Sequence, residues 1–125
     1  MPVAEISIPP AAEHVRTARL VAGAAARRCG INEEILDEVR LAVGEACARA
    51  VVRHETAESS EPVVVRMQDD EKSFTVEVSD VASVDVADED DVLALAMISA
   101  LAEHSEVTKD EPGTSVTMRW SVPAV

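Results

Sequence analysis

The chain has 125 residues, of which 47% are hydrophobic, and its formal net charge is −13 at pH 7. This length predicts one domain whose core is large enough to fold without disulfides or metals. The surface would repel a phosphate backbone, and one Phe, one Trp and no Tyr offer no platform for stacking bases. Direct nucleic-acid binding is therefore not expected, and basic partners are favoured.

The cysteines and the apolar runs indicate the compartment. Cys29 and Cys47 lack the paired spacing of zinc or dithiol sites. They are therefore interpreted as small apolar side chains of a protein in a reducing environment. The longest uncharged apolar run, residues 92–102, is shorter than the roughly 20 residues that a membrane helix needs, and no signal-peptide pattern opens the chain. We expect a cytoplasmic protein that does not enter a membrane.

The first half of the chain predicts a short strand followed by two helices. Alternating apolar residues before Pro9 and Pro10 indicate the strand, because proline cannot continue it. Helical spacing over residues 11–28, followed by a glycine placed for a left-handed C-cap, predicts the first helix. A longer helix with one broad apolar stripe is predicted from Asn32, its expected N-cap, to His54.

The second half of the chain predicts two hairpins separated by an acidic loop and a third helix. Apolar β-rich runs at residues 63–67 and 74–78 indicate the first hairpin, and residues 106–108 and 115–122 the second. Strands grouped in hairpins with helices between them predict an α+β two-layer sandwich, a mostly antiparallel sheet with three helices on one face.

The acidic stretch from Asp80 to Asp91 precedes the third helix. It lacks the ligand spacing of a calcium-binding loop, so a solvated loop is the preferred interpretation. Asp90 or Asp91 is the expected N-cap of a helix over residues 92–103, whose inward face is predicted to include Leu93 and Met97.

Four charged side chains have no obvious structural role. Glu45 lies one turn before Arg49 beside the apolar stripe, so the two can form an i,i+4 pair on the border between core and water. Such a pair is either a weak surface contact or part of a ligand site. Arg16 and Arg19 lie early in the first helix. They therefore cannot be explained as cations that interact favourably with the negative end of a helix dipole at its C-terminus.

Residues 45–50, Glu-Ala-Cys-Ala-Arg-Ala, are similar to the Glu-Ala-x-x-Asn-Ala motif of the anti-sigma factor serine kinases, bacterial regulators of the GHKL (histidine-kinase-like) ATPase superfamily. The resemblance spans residues 1–125 as a single histidine-kinase-like ATPase domain. It implies that Glu45 keeps the place of the general base, while Arg49 replaces the asparagine that binds Mg²⁺. Arginine repels a metal ion and has no lone pair to offer it.

The other nucleotide motifs of that family are partly kept. Asp80 matches the aspartate of Asp-x-Gly-x-Gly, which contacts adenine, but alanine and valine replace the two glycines. Gly113 and Thr114 match the Gly-Thr pair that closes the adenine pocket. Residues 92–95, Val-Leu-Ala-Leu, stand where the family has Gly-Leu-Gly-Leu, and their side chains are expected to fill the approach of the phosphates.

Residues 15–19, Val-Arg-Thr-Ala-Arg, match the family pattern Val-x-x-Ala-Arg, whose arginine docks the sigma factor and the anti-anti-sigma factor. The resemblance thus implies partner binding through Arg16 and Arg19. It implies an anti-sigma-like regulator of bacterial transcription that has lost ATP binding and kinase activity and needs no cofactor. Such a protein sequesters a sigma factor, pairs with an anti-anti-sigma factor, or does both, and it can also form a homodimer.

Two other functions remain open. One is an active serine/threonine kinase that phosphorylates an anti-anti-sigma factor with ATP and Mg²⁺, in which Glu45 activates the substrate hydroxyl and Arg49 contacts phosphate. The other is a dimeric scaffold without a sigma partner.

Overall fold

The computed structural model describes residues 3–84 and 89–123. The predicted acidic loop falls partly on residues 85–88 and to that extent lies outside the described residues. The described residues form five strands and three α-helices, with a short 3-10 turn at Ala12–His14. In chain order these are β1 (Val3–Ile8), α1 (Val15–Cys29), α2 (Glu33–Thr56), β2 (Val63–Asp69), β3 (Ser73–Ser79), α3 (Glu89–Leu101), β4 (His104–Asp110) and β5 (Gly113–Ser121).

The five strands form one sheet in the order β1-β2-β3-β5-β4, and every pairing is antiparallel. Val78 of β3 faces Val65 of β2 and Val116 of β5, so that apolar residues of neighbouring strands share one face. The three helices pack on that face. The predicted α+β two-layer sandwich is confirmed.

Alternation along β3 decides which sheet face is buried. Phe74, Val76 and Val78 are buried, while the residues between them are half-buried on the other face. Trp120 of β5 packs beside Phe74 with ring centroids 6.5 Å apart. Its indole Nε1 donates to the carbonyl oxygen of Leu101, 3.1 Å away, which joins the end of α3 to the sheet.

Small residues bring α1 and α2 together. Ala18, Ala22 and Ala26 of α1 are fully buried, and Gly30 ends the helix with φ of 99°, as the sequence predicted. Asn32 is the N-cap residue of α2, but its side chain makes no capping hydrogen bond. No helix in the described ranges is long and apolar enough to cross a membrane.

The third helix differs from the sequence prediction in its start and its rotation. It begins at Glu89, so Asp90 and Asp91 lie in its first turn rather than at the N-cap. Leu93 is 60% exposed and Met97 is also exposed, whereas Ile98 is 1% exposed and faces the core. The predicted inward face is wrong because α3 is apolar almost all round, so its periodicity does not select a face.

Both thiols are shielded from ionisation. Burial raises the pKa of Cys47 to about 12. Burial first, and then the hydrogen bond and charge of Asp69, raise the pKa of Cys29 to about 11. Since the thiolate is the reactive form, both cysteines behave at neutral pH as unreactive side chains.

The leucines of α2 test the orientation of this helix. Leu36 is 0% exposed and Leu41 is 52% exposed. We predict that Leu36→Ala lowers the free energy of unfolding by about 2–5 kcal/mol, because it leaves a cavity in the core. Leu41→Ala, the matched control, should change it by less than about 0.5 kcal/mol. Urea denaturation followed by circular dichroism measures both, and similar values would contradict the assigned face.

Candidate functional site

Two arginines of α2 point into the protein rather than into solvent. Arg49 and Arg53 lie one helical turn apart, on the side of α2 that faces the end of β3, and are 7% and 8% exposed. Buried arginines require partners, since an unpaired charge inside a protein is strongly destabilising. Their partners come from three other parts of the chain.

Asp80, directly after β3, is the first of these partners. Its Oδ2 accepts hydrogen bonds from Arg53 Nε at 2.9 Å and from Thr114 Oγ1 at 2.6 Å. Its Oδ1 accepts from the backbone N–H groups of Ala82 at 3.0 Å and Thr114 at 3.3 Å. Two carboxylate oxygens offer about four lone-pair sites, so four donors saturate this buried carboxylate.

Arg49 connects the same region to α3. Its Nε donates to Asp91 Oδ1 at 2.7 Å and its Nη1 donates to Thr114 Oγ1 at 3.0 Å. The same Nη1 lies 3.8 Å from Asp80 Oδ2. Arg49, Arg53, Asp80, Asp91 and Thr114 therefore form one arginine–aspartate network, in which two cations face two carboxylates.

The loop after β3 is held by further contacts from α2. Arg53 Nη2 donates to the carbonyl oxygen of Ala82 at 3.2 Å. His54 is fully buried; its Nε2 accepts from the N–H of Val81 at 3.1 Å, and its Nδ1 lies 2.9 Å from the carbonyl oxygen of Glu61. These contacts require a neutral imidazole with the proton on Nδ1. Among the described residues, no buried side-chain nitrogen or oxygen lacks a partner.

Gly113 lets the start of β5 approach Asp80. A Cβ at this position would lie 1.9 Å from the carbonyl oxygen of Asp80. No other residue fits this contact without a backbone shift, because real Cβ atoms do not approach backbone atoms so closely. Glycine here places the N–H and hydroxyl of Thr114 against the carboxylate of Asp80.

The network divides a cleft between α2, α3 and the β4–β5 hairpin into two cavities. The smaller, about 220 Å³, is lined by residues that include Glu45, Ala48 and Ala94. The larger, about 800 Å³, is lined by residues that include Leu95, Lys109 and Gly113. Both are lined by the residues of the wall between them, which are Arg49, Arg53, Val84 and Asp91.

The structure brings Asp80, Gly113, Thr114 and Arg49 together. Glu45 lines the smaller cavity, but it forms no ion pair with Arg49. The expected i,i+4 pair at the border of core and water is therefore wrong. Arg49 instead turns inward, where three acceptors surround it.

Sequence patterns missed part of this site. Ala94 and Leu95 line the cavities, but Val92 and Leu93 are exposed, so only half of residues 92–95 face the cleft. Arg53 and His54 were not recognised as site residues. The signal was present, because both continue the apolar stripe of α2 at positions where a solvated side chain does not fit.

Arg16 and Arg19 lie apart from the cleft. Both side chains are exposed and, with Leu20 and Arg40, they line a groove of about 410 Å³ between α1 and α2. Within residues 3–84 and 89–123, neither Arg16 nor Arg19 makes an ion pair or side-chain hydrogen bond.

The sequence model of one protein family, the histidine kinase-like ATPase domain, matches residues 8–120 of this chain. The chain belongs to this family. The histidine kinase-like ATPase domain is also similar in fold to a crystal structure of the RsbU and RsbW domains of Rv1364c from Mycobacterium tuberculosis, with 20% sequence identity and a TM-score of 0.76. The match covers 99% of this chain and 34% of that one, so this domain spans about a third of the longer protein. No curated protein sequence matches significantly.

The ion pair between Arg53 and Asp80 can be tested by its contribution to stability. We predict that Arg53→Ala lowers the free energy of unfolding by about 3–5 kcal/mol, because it removes the nearer of the two cations that face the buried carboxylate of Asp80. Arg66→Ala is the matched control: Arg66 pairs with Glu5 at 3.4 Å on the half-exposed face of the sheet. That surface pair should contribute less than about 1 kcal/mol.

Chemical denaturation of both variants at neutral pH and constant salt measures the difference. Equal losses for the two substitutions would show that the buried pair does not stabilise this domain more than a surface pair does.

Proposed function

We propose that this histidine kinase-like ATPase domain is an anti-sigma-factor-like regulatory binding protein that acts without ATP binding or kinase activity. The observation that carries the proposal is the carboxylate of Asp80, whose two oxygens are already engaged by four donors of the same chain. An exocyclic amine of adenine would find no free acceptor there. The acceptor oxygens that the resemblance to the anti-sigma kinases assigns to adenine are thus occupied by donors of the protein itself.

Displacing those donors is unfavourable. An entering adenine amine would have to separate Asp80 from Arg53 or Thr114, and breaking a buried pair costs about 3–5 kcal/mol. A nucleotide would then leave the guanidinium of Arg53, 9% exposed in its side chain, without its carboxylate. Little of the binding free energy of a nucleotide would remain to fix it in the cleft.

The phosphate end of the cleft is no better suited. Arg49 stands where the family motif has its Mg²⁺ ligand, and its guanidinium is bonded to Asp91 across the cleft. Among the described residues, no group of three or more His, Cys, Asp or Glu side chains could hold a metal ion. The residues present do not fit Mg-ATP.

Partner binding is supported by different residues. Residues 15–19 resemble the docking motif of the anti-sigma kinases, and Arg16 and Arg19 are exposed cations on a chain of net charge −13. The partner we propose is a sigma factor, an anti-anti-sigma factor, or both in competition, in the cytoplasm of a bacterium. A homodimer is compatible with this role.

A second candidate is an active serine kinase, and one observation favours it. Glu45 is half-buried, lines the smaller cavity and has no ion pair among the described residues, so its carboxylate remains available as a base. Among the described residues that line the cleft, Arg49 and Arg53 are already paired with aspartates and are not free to hold a triphosphate beside Glu45. We therefore place this candidate second.

A nucleotide titration separates the two candidates. We predict no measurable heat when ATP and Mg²⁺ are titrated into the protein in a calorimeter, because Arg49–Asp91 and Arg53–Asp80 occupy the cleft. Arg49→Asn should not restore binding, since Arg53 still holds Asp80. Micromolar, magnesium-dependent binding, with phosphate transfer to a partner serine that Glu45→Gln abolishes, would establish the kinase instead.

The docking role of Arg19 gives a second test. Sigma factors and anti-anti-sigma factors of the source genome can be purified one by one and titrated against wild type and Arg19→Ala. For the one that binds, we predict a loss of about thirtyfold to several thousandfold, the equivalent of the roughly 2–5 kcal/mol of a desolvated interfacial charge pair.

Arg28→Ala is the matched control, because Arg28 is an exposed cation on the last turn of the same helix. Circular dichroism should show both variants folded. If none of these proteins binds, the proposed function is wrong; if one binds wild type and Arg19→Ala equally, the role of Arg19 is wrong.

A further inference from the structure

The groove between α1 and α2 is lined by three arginines and a leucine, Arg16, Arg19, Leu20 and Arg40. Its volume is about 410 Å³, and no carboxylate is among the described residues that line it. Arg40 comes from α2, so the groove combines cations from both helices. The chain has 11 Lys and Arg residues and 24 acidic residues. Because three of the arginines line this one groove, the groove is positively charged on a protein that is negatively charged overall.

Two glycines decide where the arginines of this groove lie. A Cβ on Gly44 of α2 would stand 2.8 Å from Cδ of Arg19, and a Cβ on Gly23 of α1 would stand 2.7 Å from Nε of Arg40. Each arginine thus crosses the opposite helix at the position where that helix has no side chain. The two crossings are reciprocal and lead both guanidinium groups into one groove.

This packing prepares the groove for a ligand. An arginine whose stem is already held against a helix loses less conformational freedom when its guanidinium binds than one that is free in solvent. Arg40 makes a 3.0 Å ion pair with Asp37, but the carboxylate side chain of Asp37 is 85% exposed. Such a pair is worth little and can be exchanged for a better acceptor.

The surroundings of the groove indicate what kind of anion fits. Leu20 lines it and is 56% exposed. A nucleic acid would bring its phosphates against a protein of charge −13. A short protein segment with a few carboxylates and an apolar side chain matches both the cations and Leu20.

We propose that Arg40 completes, with Arg16 and Arg19, a docking groove for an acidic segment of a protein partner, and that Gly23 and Gly44 are positioning residues for Arg40 and Arg19. The inference rests on the proposed function for the existence of a partner. It adds the partner's chemistry, a residue from a second helix, and the means by which the arginines are held.

The test uses a short probe instead of the unidentified partner. The acetylated and amidated peptide Asp-Leu-Glu-Glu is titrated into the full chain, and the arginine Nε–H signals are followed by two-dimensional NMR. The peptide Asn-Leu-Gln-Gln and inorganic phosphate serve as controls. We expect the acidic peptide to shift the signals of Arg16, Arg19 and Arg40, and both controls to bind at least about tenfold more weakly, which is 1.4 kcal/mol.

Two kinds of variant separate charge from position. Arg40→Ala should weaken binding of the acidic peptide by about fivefold, which is the factor that corresponds to one hydrogen bond of about 1 kcal/mol. Arg66→Ala removes the same charge from the other face of the sheet and should leave the affinity unchanged. Gly23→Ala and Gly44→Ala keep every charge, and alanine favours the helical conformation more than glycine does. Weaker binding of the acidic peptide by either variant would therefore show that an arginine of the groove has been displaced.

The outcomes are distinct. The inference is overturned if Arg40→Ala behaves like Arg66→Ala, if the two glycine variants bind as wild type does, or if phosphate binds as well as the peptide. A peptide that binds in the groove, with no sigma or anti-anti-sigma factor bound by the protein, supports the groove and refutes the proposed function. A sigma factor bound equally by wild type and Arg40→Ala supports the function and refutes the groove.

Discussion

The buried ion pair between Arg53 and Asp80 joins the two layers of this domain. Arg53 belongs to α2 in the helical layer, and Asp80 directly follows β3, the central strand of the sheet. Once this pair is formed, Arg49 lies within reach of Thr114 at the start of β5 and of Asp91 in α3. One contact therefore organises the side of the molecule where the cleft opens, and it explains why a charged residue tolerates burial there.

The same network occupies part of the cleft. In this domain α2, the end of the central strand and α3 surround one cleft, which is a geometry suited to a ligand. Here the chain's own arginines cross that cleft and divide it into two cavities. The hydrogen bond from Arg49 to Asp91 connects α2 directly to α3. The position of α3 is thus set by internal contacts.

The groove between α1 and α2 has the opposite character. In the cleft every arginine is paired within the protein, whereas in the groove Arg16 and Arg19 have no partner among the described residues. Internally paired cations in the cleft and available cations in the groove are both consistent with the proposed role of a domain that acts by binding. The two sites lie on different sides of α2, which contributes Arg49 and Arg53 to one and Arg40 to the other.

Local patterns in the sequence were sufficient for the strands, the helices and the two-layer architecture. Pro9, Gly30 and the alternation around Val76 act over a few residues, so their effects can be read without the rest of the chain. The motif positions Asp80, Gly113 and Thr114 came from the resemblance to a family and not from a local physical pattern. Only the tertiary structure decided the rotation of α3, whose apolar surface fits more than one orientation. It also decided the direction of Arg49. The acceptors of Arg49 lie 31, 42 and 65 residues further along the chain, whereas Glu45 is one helical turn away, and the convergence of those acceptors depends on the packing of the sheet against α2.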